Sequence, residues 1–143
     1  MNATIEKFGY PHSLVREYDH WVVLVRPQQI TLASMVLALK SEVTALGQAP
    51  EAAFGELKRV TADLEAALAA TFAPDKINYL MLMMSDPHVH FHVLPRYASE
   101  RSIAGMNFVD RAWPVAPSVA DVTDTGEAER AAIADTLRGA WAR

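Results

Sequence analysis

The sequence contains no cysteine, no excess of basic residues and no long apolar run. The lack of cysteine excludes disulfides, thiolate metal sites and cysteine nucleophiles, although it is compatible with either redox compartment. The 13 Lys and Arg residues are outnumbered by 17 Asp and Glu residues, which gives a formal net charge of −4. A broad basic surface for nucleic acid is therefore not expected, and any anion site must be local.

The sequence also offers no targeting or membrane segment. Segment 1–13 lacks the apolar stretch of a secretory signal, and no apolar run approaches the roughly 20 residues that a membrane span needs. The 143 residues are 51% hydrophobic, which suits one domain with a sizeable core. We therefore predict a single domain over 1–143 that is cytoplasmic and does not contact a membrane.

Three apolar segments are the candidates for strands. Residues 21–25 are aliphatic or aromatic and end shortly before Pro27, as a strand followed by a turn would. Residues 30–39 satisfy the pattern of either a buried strand or a buried helix, and we favour a strand hairpinned on the first. Residues 77–84 are too few for a full helix and predict a central strand with its methionines in the core.

Two segments have helical periodicity. Between Pro50 and Phe72 a helix is predicted whose inner face carries Phe54, Leu57, Thr61, Leu64 and Leu68. Segment 125–143 predicts a C-terminal helix whose inner side carries Ile133, Leu137 and Trp141. Between these helices, segment 98–124 loses periodicity, so we expect an irregular stretch lying over the sheet.

The most specific signal is a run of alternating histidines, His88, His90 and His92, separated by Val89 and Phe91. On a strand that rises about 3.3 Å per residue, neighbouring histidines lie roughly 6.6 Å apart and the outer two roughly 13 Å apart. This row suits an extended group such as a phosphate better than a single ion. A metal could bind two of the histidines, but it would need remote ligands such as His12, His20 or Asp86.

A row of imidazoles can perform nucleophilic chemistry. A neutral imidazole is nucleophilic at one nitrogen when the other is held as a donor, and an ordinary pKa near 6.5 leaves much of it neutral at pH 7. The central residue is best placed for attack. The flanking imidazoles can donate hydrogen bonds to phosphate oxygens and stabilise the charge of the transition state.

Residues 88–94 resemble the histidine-triad (HIT) pattern of three histidines separated by single apolar residues and followed by two more, and the trailing Pro95-Arg96 resembles the dinucleoside polyphosphate hydrolase branch. The resemblance covers about residues 18–97. It implies an α+β fold with an antiparallel sheet of about five strands, one long helix and a C-terminal helix, paired into a homodimer.

The resemblance also implies a reaction. His90 would take a nucleoside monophosphoryl group from a nucleotide, His88 and His92 would orient it, and water would release the nucleoside monophosphate. The triad chemistry requires no metal or other cofactor. Three further residues are implied or suggested as substrate contacts: Ser85, which stands three residues before the triad, Arg96, and Ser34 in the second strand of the hairpin.

The sequence departs from the family just before the triad. Active relatives usually carry a Gly-Gln pair and a small-residue loop there. In this sequence residues 83–87, Met-Met-Ser-Asp-Pro, directly precede His88 and contain neither Gly nor Gln. A phosphate-contacting glutamine is absent. The rival hypothesis is therefore a nucleotide-binding protein with weak or no turnover, and a histidine-ligated metal-binding protein is a third.

Overall fold

The structure is a computed structural model that describes residues 1–142. A five-stranded antiparallel sheet with the order β1-β2-β4-β6-β5 forms its centre. The elements are α1 (Ala3–Lys7), β1 (Leu14–Glu17), β2 (Trp21–Val25), β3 (Gln28–Gln29), β4 (Met35–Leu39), a short 3₁₀ helix (Leu46–Gln48), α2 (Glu51–Ala70), β5 (Lys76–Leu80), β6 (His90–Arg96), β7 (Arg101–Ile103), β8 (Met106–Phe108), β9 (Thr123–Asp124) and α3 (Glu127–Ala140).

This architecture confirms the predicted α+β class with an antiparallel sheet, one long helix and a C-terminal helix. The predicted hairpin is also confirmed, because β2 and β4 pair antiparallel from Trp21 opposite Leu39 to Val25 opposite Met35. Strand β4 covers only the second half of the ambiguous segment 30–39. Two elements precede the expected core, since α1 and β1 both lie before residue 18.

The two faces of the sheet are covered unequally. One face packs against α2 and α3 around the main core, which contains Trp21, Leu37 and Val93. The other face carries a smaller cluster in which Ile5 and Phe8, from α1 and its C-terminal end, lie on Val22, Leu24, Val36 and Ala38. The N-terminal segment thus covers part of this face, and β6 presents His90 and His92 to the same side.

Helix α2 forms where predicted, but the predicted inner face is rotated. Its buried residues are Ala53, Val60, Leu64, Ala67 and Leu68, whereas Phe54 is 42% exposed. The periodicity alone was satisfied by more than one stripe, because small Ala residues lie beside the larger side chains. The buried stripe contains Ala53 and Ala67, so small side chains as well as large ones face the sheet.

The phase of α2 can be tested by two truncations. Leu64→Ala removes a fully buried side chain and is expected to lower the free energy of unfolding by about 2–5 kcal/mol. Phe54→Ala removes a larger but half-exposed ring and is expected to cost about 0.5 kcal/mol or less. Urea denaturation of both variants measures the difference, and equal losses would show that the helix faces the sheet differently.

Two other expectations were wrong in detail. Strand β5 is an edge strand rather than a central one, since it pairs only with β6 in the sheet, and Met84 beyond its end is 88% exposed. Segment 98–124 is not wholly irregular, because β7 and β8 form a hairpin in it.

The C-terminal helix is confirmed, with Ile133 and Leu137 fully buried and Trp141 at its end 5% exposed. Within residues 1–142 no helix has the length and apolar character to cross a membrane.

Candidate active site

Strand β6 places two of the three histidines side by side. His90 lies opposite Ala38 and His92 opposite Val36 on the neighbouring strand β4. The imidazole rings of His90 and His92 are 5.0 Å apart between centroids and stand edge to face at 82°. Because side chains alternate along a strand, Val93 on the opposite face anchors β6 in the main core while the imidazoles face the thinly covered side.

The ring of His90 has a defined tautomer. Its Nδ1 lies 2.7 Å from the backbone carbonyl oxygen of His88. A carbonyl oxygen can only accept, so Nδ1 carries the proton and donates it. In the neutral ring the lone pair is then on Nε2, which is the state that a nucleophilic imidazole requires.

His88 lies outside β6 and is held by side chains that are remote in sequence. Its Nε2 is 3.1 Å from a carboxylate oxygen of Glu42, and its Nδ1 is 2.8 Å from the hydroxyl of Thr4. A carboxylate accepts, so Nε2 donates to Glu42, and in the neutral ring the Thr4 hydroxyl donates to Nδ1. Both ring nitrogens of His88 therefore have hydrogen-bond partners. The residue contacts His90 through its backbone carbonyl, which accepts the hydrogen bond from Nδ1 of His90.

His92 is buried and uncharged at neutral pH. Burial, the nearby positive charge of Arg26 and the neighbouring His90 lower the pKa of His92 to about 4, although the carboxylate of Asp86 acts in the opposite direction. Its Nδ1 is buried and has no hydrogen-bond partner among residues 1–142. His92 can therefore offer a substrate a neutral hydrogen-bonding group rather than a cation.

The N-terminal segment covers the histidines. The ring of Phe8 lies 5.8 Å from His90 and 5.9 Å from His92 between centroids, and His90 is only 1% exposed. Side-chain contacts anchor this segment at both ends of α1: the amide of Asn2 donates to backbone carbonyls in the 39–41 segment, and Lys7 forms an ion pair with Asp86 at 2.7 Å. A substrate that reaches Nε2 of His90 must therefore displace Phe8 or pass beside it.

The two serines predicted as substrate contacts lie in different surroundings. Ser85 is exposed in the bend that precedes the triad, next to Asp86. Ser34 is fully buried, and its hydroxyl donates to the carbonyl of Thr31 and accepts from the backbone N–H groups of Ile30 and Thr31. Its hydroxyl shapes the turn between β2 and β4, and none of these hydrogen bonds involves a histidine.

Arg96, the third predicted contact, is committed to the fold. It is 4% exposed, and its guanidinium donates to both carboxylate oxygens of Asp110, to the side-chain oxygen of Asn78 and to the carbonyl of Val115. Burial alone would raise the pKa of Asp110, but the hydrogen bonds from Arg96 and from the backbone of Tyr97 hold it below its ordinary value. These contacts fasten segment 110–115 to the end of β6.

The third hypothesis, a metal site, requires converging ligands. In the part of the chain that the structure describes, no group of three or more His, Asp or Glu side chains is placed to hold a metal ion. The nitrogens of His88 and His90 that carry the hydrogen bonds above point to Thr4, Glu42 and a backbone carbonyl instead.

Several residues at the site were not predicted from the sequence: Thr4, Lys7, Phe8, Arg26 and Glu42. Arg26 was open to prediction, because it continues the alternation of Val22 and Leu24 on the histidine-facing side of the hairpin. The others come from α1 and from the segment after β4, where the sequence contains no signal of proximity to the triad.

The chain is similar to the proteins of a known family. The sequence pattern of the HIT domain matches residues 9–99. No curated protein matches the sequence.

The solved structures similar to this one carry the same fold. A histidine triad protein from Bradyrhizobium japonicum is 16% identical with a TM-score of 0.76, covering 99% of this chain and 96% of its own. A histidine triad (HIT) protein from Sinorhizobium meliloti is 15% identical with a TM-score of 0.76, at 98% and 95% coverage. A hypothetical histidine triad nucleotide-binding protein from Sulfolobus tokodaii is 14% identical with a TM-score of 0.69, at 96% and 88% coverage.

HIT proteins are in general nucleotide hydrolases or transferases. Since the family pattern spans well over half of the chain and includes all three histidines, this protein belongs to the HIT domain family.

Proposed function

We propose that this protein is a nucleotide hydrolase or nucleotidyl transferase that acts on a phosphoanhydride or phosphoramidate through a nucleotidyl-histidine at His90. The observation that carries the proposal is the hydrogen bond from Nδ1 of His90 to the His88 carbonyl at 2.7 Å. It holds the proton away from Nε2, so that the attacking lone pair is available without a separate base.

The reaction has two steps. Nε2 of His90 attacks the phosphorus of the nucleotide, a nitrogen–phosphorus bond forms, and the bond from phosphorus to the leaving group breaks with its electron pair going to that group. Water then attacks the same phosphorus and loses a proton to the solvent, and the nitrogen–phosphorus bond breaks with its electron pair returning to Nε2. The nucleoside monophosphate departs, and His90 is again neutral with its proton on Nδ1. In a transfer reaction another acceptor takes the place of water.

The other two histidines have different parts in this proposal. His88 holds the tautomer of His90 through its carbonyl, and its own ring is oriented by Thr4 and Glu42. His92 lies beside His90 as a neutral hydrogen-bonding group, because its pKa is about 4. Oriented groups of this kind contribute by positioning the phosphate and by stabilising its developing charge.

The finer assignments rest on the resemblance. Pro95 and Arg96 favour the dinucleoside polyphosphate hydrolase branch, and Ser85, exposed in the bend before the triad, is the remaining serine that could approach a leaving group. A homodimer and a cytoplasmic location stay predictions. No metal or other cofactor is needed for the two steps as written.

The rival function is nucleotide binding with weak or no turnover. The observation that favours it is the burial of His90 beneath Phe8, since a nucleophile that is 1% exposed is poorly accessible to a reacting phosphorus. In that case the pocket would take a nucleotide and release it unchanged.

Turnover and binding can be separated in one experiment. Wild-type protein is incubated with dinucleoside polyphosphates, nucleoside 5′-phosphoramidates and nucleotide sugars, and released nucleoside monophosphate is measured by chromatography. We expect release with at least one class, unchanged in His12→Ala, which alters an exposed histidine outside the site. Binding by calorimetry without release from any class would establish the rival function instead.

A further inference from the structure

Arg26 directly follows strand β2 and places a charged side chain beside the histidine site. Its guanidinium carbon lies 6.0 Å from the centre of the Phe8 ring, which is itself 5.8 Å from His90 and 5.9 Å from His92. Phe8 thus lies against the two imidazoles and the guanidinium together. Lys7 approaches the same ring, with Nζ at 5.9 Å from its centre.

The hydrogen bonding of Arg26 is incomplete. Nη1 donates to the carbonyl of Gln28, but Nε is buried without a partner in the described residues 1–142. A buried donor without a partner destabilises the folded protein and needs an explanation. Arg96, by contrast, has its Nε on a carboxylate. The other buried side-chain atom without a partner, Nδ1 of His92, belongs to the same site.

The charges around Arg26 leave it uncompensated. The carboxylate whose charge acts on Arg26 is that of Asp86, which pairs with Lys7 at 2.7 Å. Lys7 and Asp86 cancel, and His92 is neutral, so Arg26 leaves a local charge of about +1 at a site in a protein whose formal net charge is −4. A local positive charge of this kind suits an anion, because an arginine fork matches the oxygens of a phosphate.

The position of Arg26 separates it from the phosphate that His90 attacks. Arg26 follows β2, and β4 lies between β2 and β6 in the sheet. Since adjacent strands are about 4.8 Å apart, the backbones of β2 and β6 are about 10 Å apart. The guanidinium therefore lies to the side of the imidazoles, across the ring of Phe8.

We propose that Arg26 binds a second phosphate of the substrate, adjacent to the one that His90 takes, and so selects nucleotides with two phosphates over monophosphates. The proposal rests on the proposed function, because it assumes that a nucleotide occupies the histidine site. The second phosphate could be attached through an anhydride at the 5′ position or directly to the ribose. In either case Nε of Arg26 gains the partner that it lacks.

The test compares three probes by calorimetry on wild-type protein and on Arg26→Gln: adenosine 5′-monophosphate, its α,β-methylene diphosphate analogue, and adenosine 3′,5′-bisphosphate. Guanine equivalents are measured in parallel. We expect wild type to bind one of the two-phosphate ligands at least tenfold more tightly than the monophosphate, and Arg26→Gln to lose this preference. The two-phosphate ligand with the lower Kd identifies where the second phosphate is attached.

Three controls make the result decisive. Arg26→Lys should restore part of the preference through charge alone, and Arg111→Gln, which alters an exposed arginine paired with Asp121, should leave it intact. An NMR titration of Arg26→Gln should show a higher pKa for His92 than in wild type, because a positive charge that lowers it has been removed.

The outcomes distinguish this proposal from the one on which it rests. No preference in wild type, or a preference that survives in Arg26→Gln, would overturn the role of Arg26 while leaving nucleotide turnover in place. Failure of every nucleotide to bind wild type would overturn the proposed function itself, and the role of Arg26 with it.

Discussion

Replacement of His90 by alanine is expected to abolish turnover while leaving nucleotide binding largely intact. The nitrogen that would form the bond to phosphorus is removed, and neither neighbouring imidazole is equivalent to it: both ring nitrogens of His88 are occupied, and Nδ1 of His92 is buried. Loss of an enzymic nucleophile lowers kcat by roughly 10⁴-fold or more. Steady-state release of nucleoside monophosphate measures kcat, and calorimetry measures the Kd.

The split between kcat and Kd is the informative part of that experiment. A variant that had merely lost its fold would lose binding too, whereas His90→Ala should bind nucleotide within a few-fold of wild type. His12→Ala serves as the matched control, since His12 is exposed and forms none of the contacts described for the triad. Turnover by His90→Ala within tenfold of wild type would show that another group forms the bond, or that water attacks directly.

The second large effect concerns stability. Asp110→Ala is expected to lower the free energy of unfolding by about 3–5 kcal/mol, because it leaves the guanidinium of Arg96 buried without its carboxylate. Both side chains of this pair are 5% exposed or less, and the carboxylate meets Nε of Arg96 at 2.7 Å. Urea denaturation of the two proteins gives the difference.

A matched control is the ion pair between Arg111 and Asp121, which also lies in segment 98–124. Asp121 pairs with Arg111 at 2.6 Å, but both side chains are about half exposed, so Asp121→Ala is expected to cost about 1 kcal/mol or less. If Asp110→Ala and Asp121→Ala proved equally mild, the buried pair would not hold segment 110–115 as described.

The Asp110 pair also predicts a dependence on pH. The pKa of Asp110 is lower in the folded protein than its ordinary value of 3.8. Its contribution to stability is therefore complete above about pH 4 to 5 and is lost as the pH falls through the folded pKa. His92 acts over a higher range: its pKa falls from 6.5 to about 4 on folding, so the unfolded chain binds its proton more readily and stability falls as the pH drops from 6.5 towards 4.

The fold was predictable where one pattern excluded the others. Strand β2 and the hairpin with β4 followed from aliphatic runs and Pro27, and α3 followed from Ile133 and Leu137. The face of α2 that packs on the sheet was not predictable from periodicity. The buried face contains the small residues Ala53 and Ala67, whereas the pattern of large apolar residues favoured the face with Phe54. Composition alone also gave β5 a central position, whereas strand order depends on pairings between distant segments.

The candidate site was predictable only along the strand that carries it. Alternation placed His90 and His92 on one face, and their neighbours Phe91 and Val93 on the other. His88 was expected to lie on the same strand as His90 and His92, but the strand begins at His90, and His88 contacts Thr4 from the preceding bend.

The partners of the histidines could not be derived in the same way. Phe8, Thr4 and Glu42 reach the triad from 46 to 84 residues away in the sequence. Contacts over such separations are decided by how α1 docks on the sheet, where Ile5 and Phe8 bury themselves in the second apolar cluster. No local spacing rule encodes that docking, and the same holds for the pairing of Lys7 with Asp86.

The most direct measurement is the detection of nucleotide bonded to His90. Wild-type protein is mixed with substrate, quenched in alkali, where a phosphorus–nitrogen bond to histidine survives, digested with trypsin and analysed by mass spectrometry. Cleavage after Lys76 and Arg96 yields peptide 77–96, which contains all three histidines, and fragmentation assigns the modified one. We predict the added mass of a nucleoside monophosphoryl group on His90 in wild type and none in His90→Ala. The same mass on another residue, or turnover without any modified peptide, would contradict a nucleotidyl-histidine at His90.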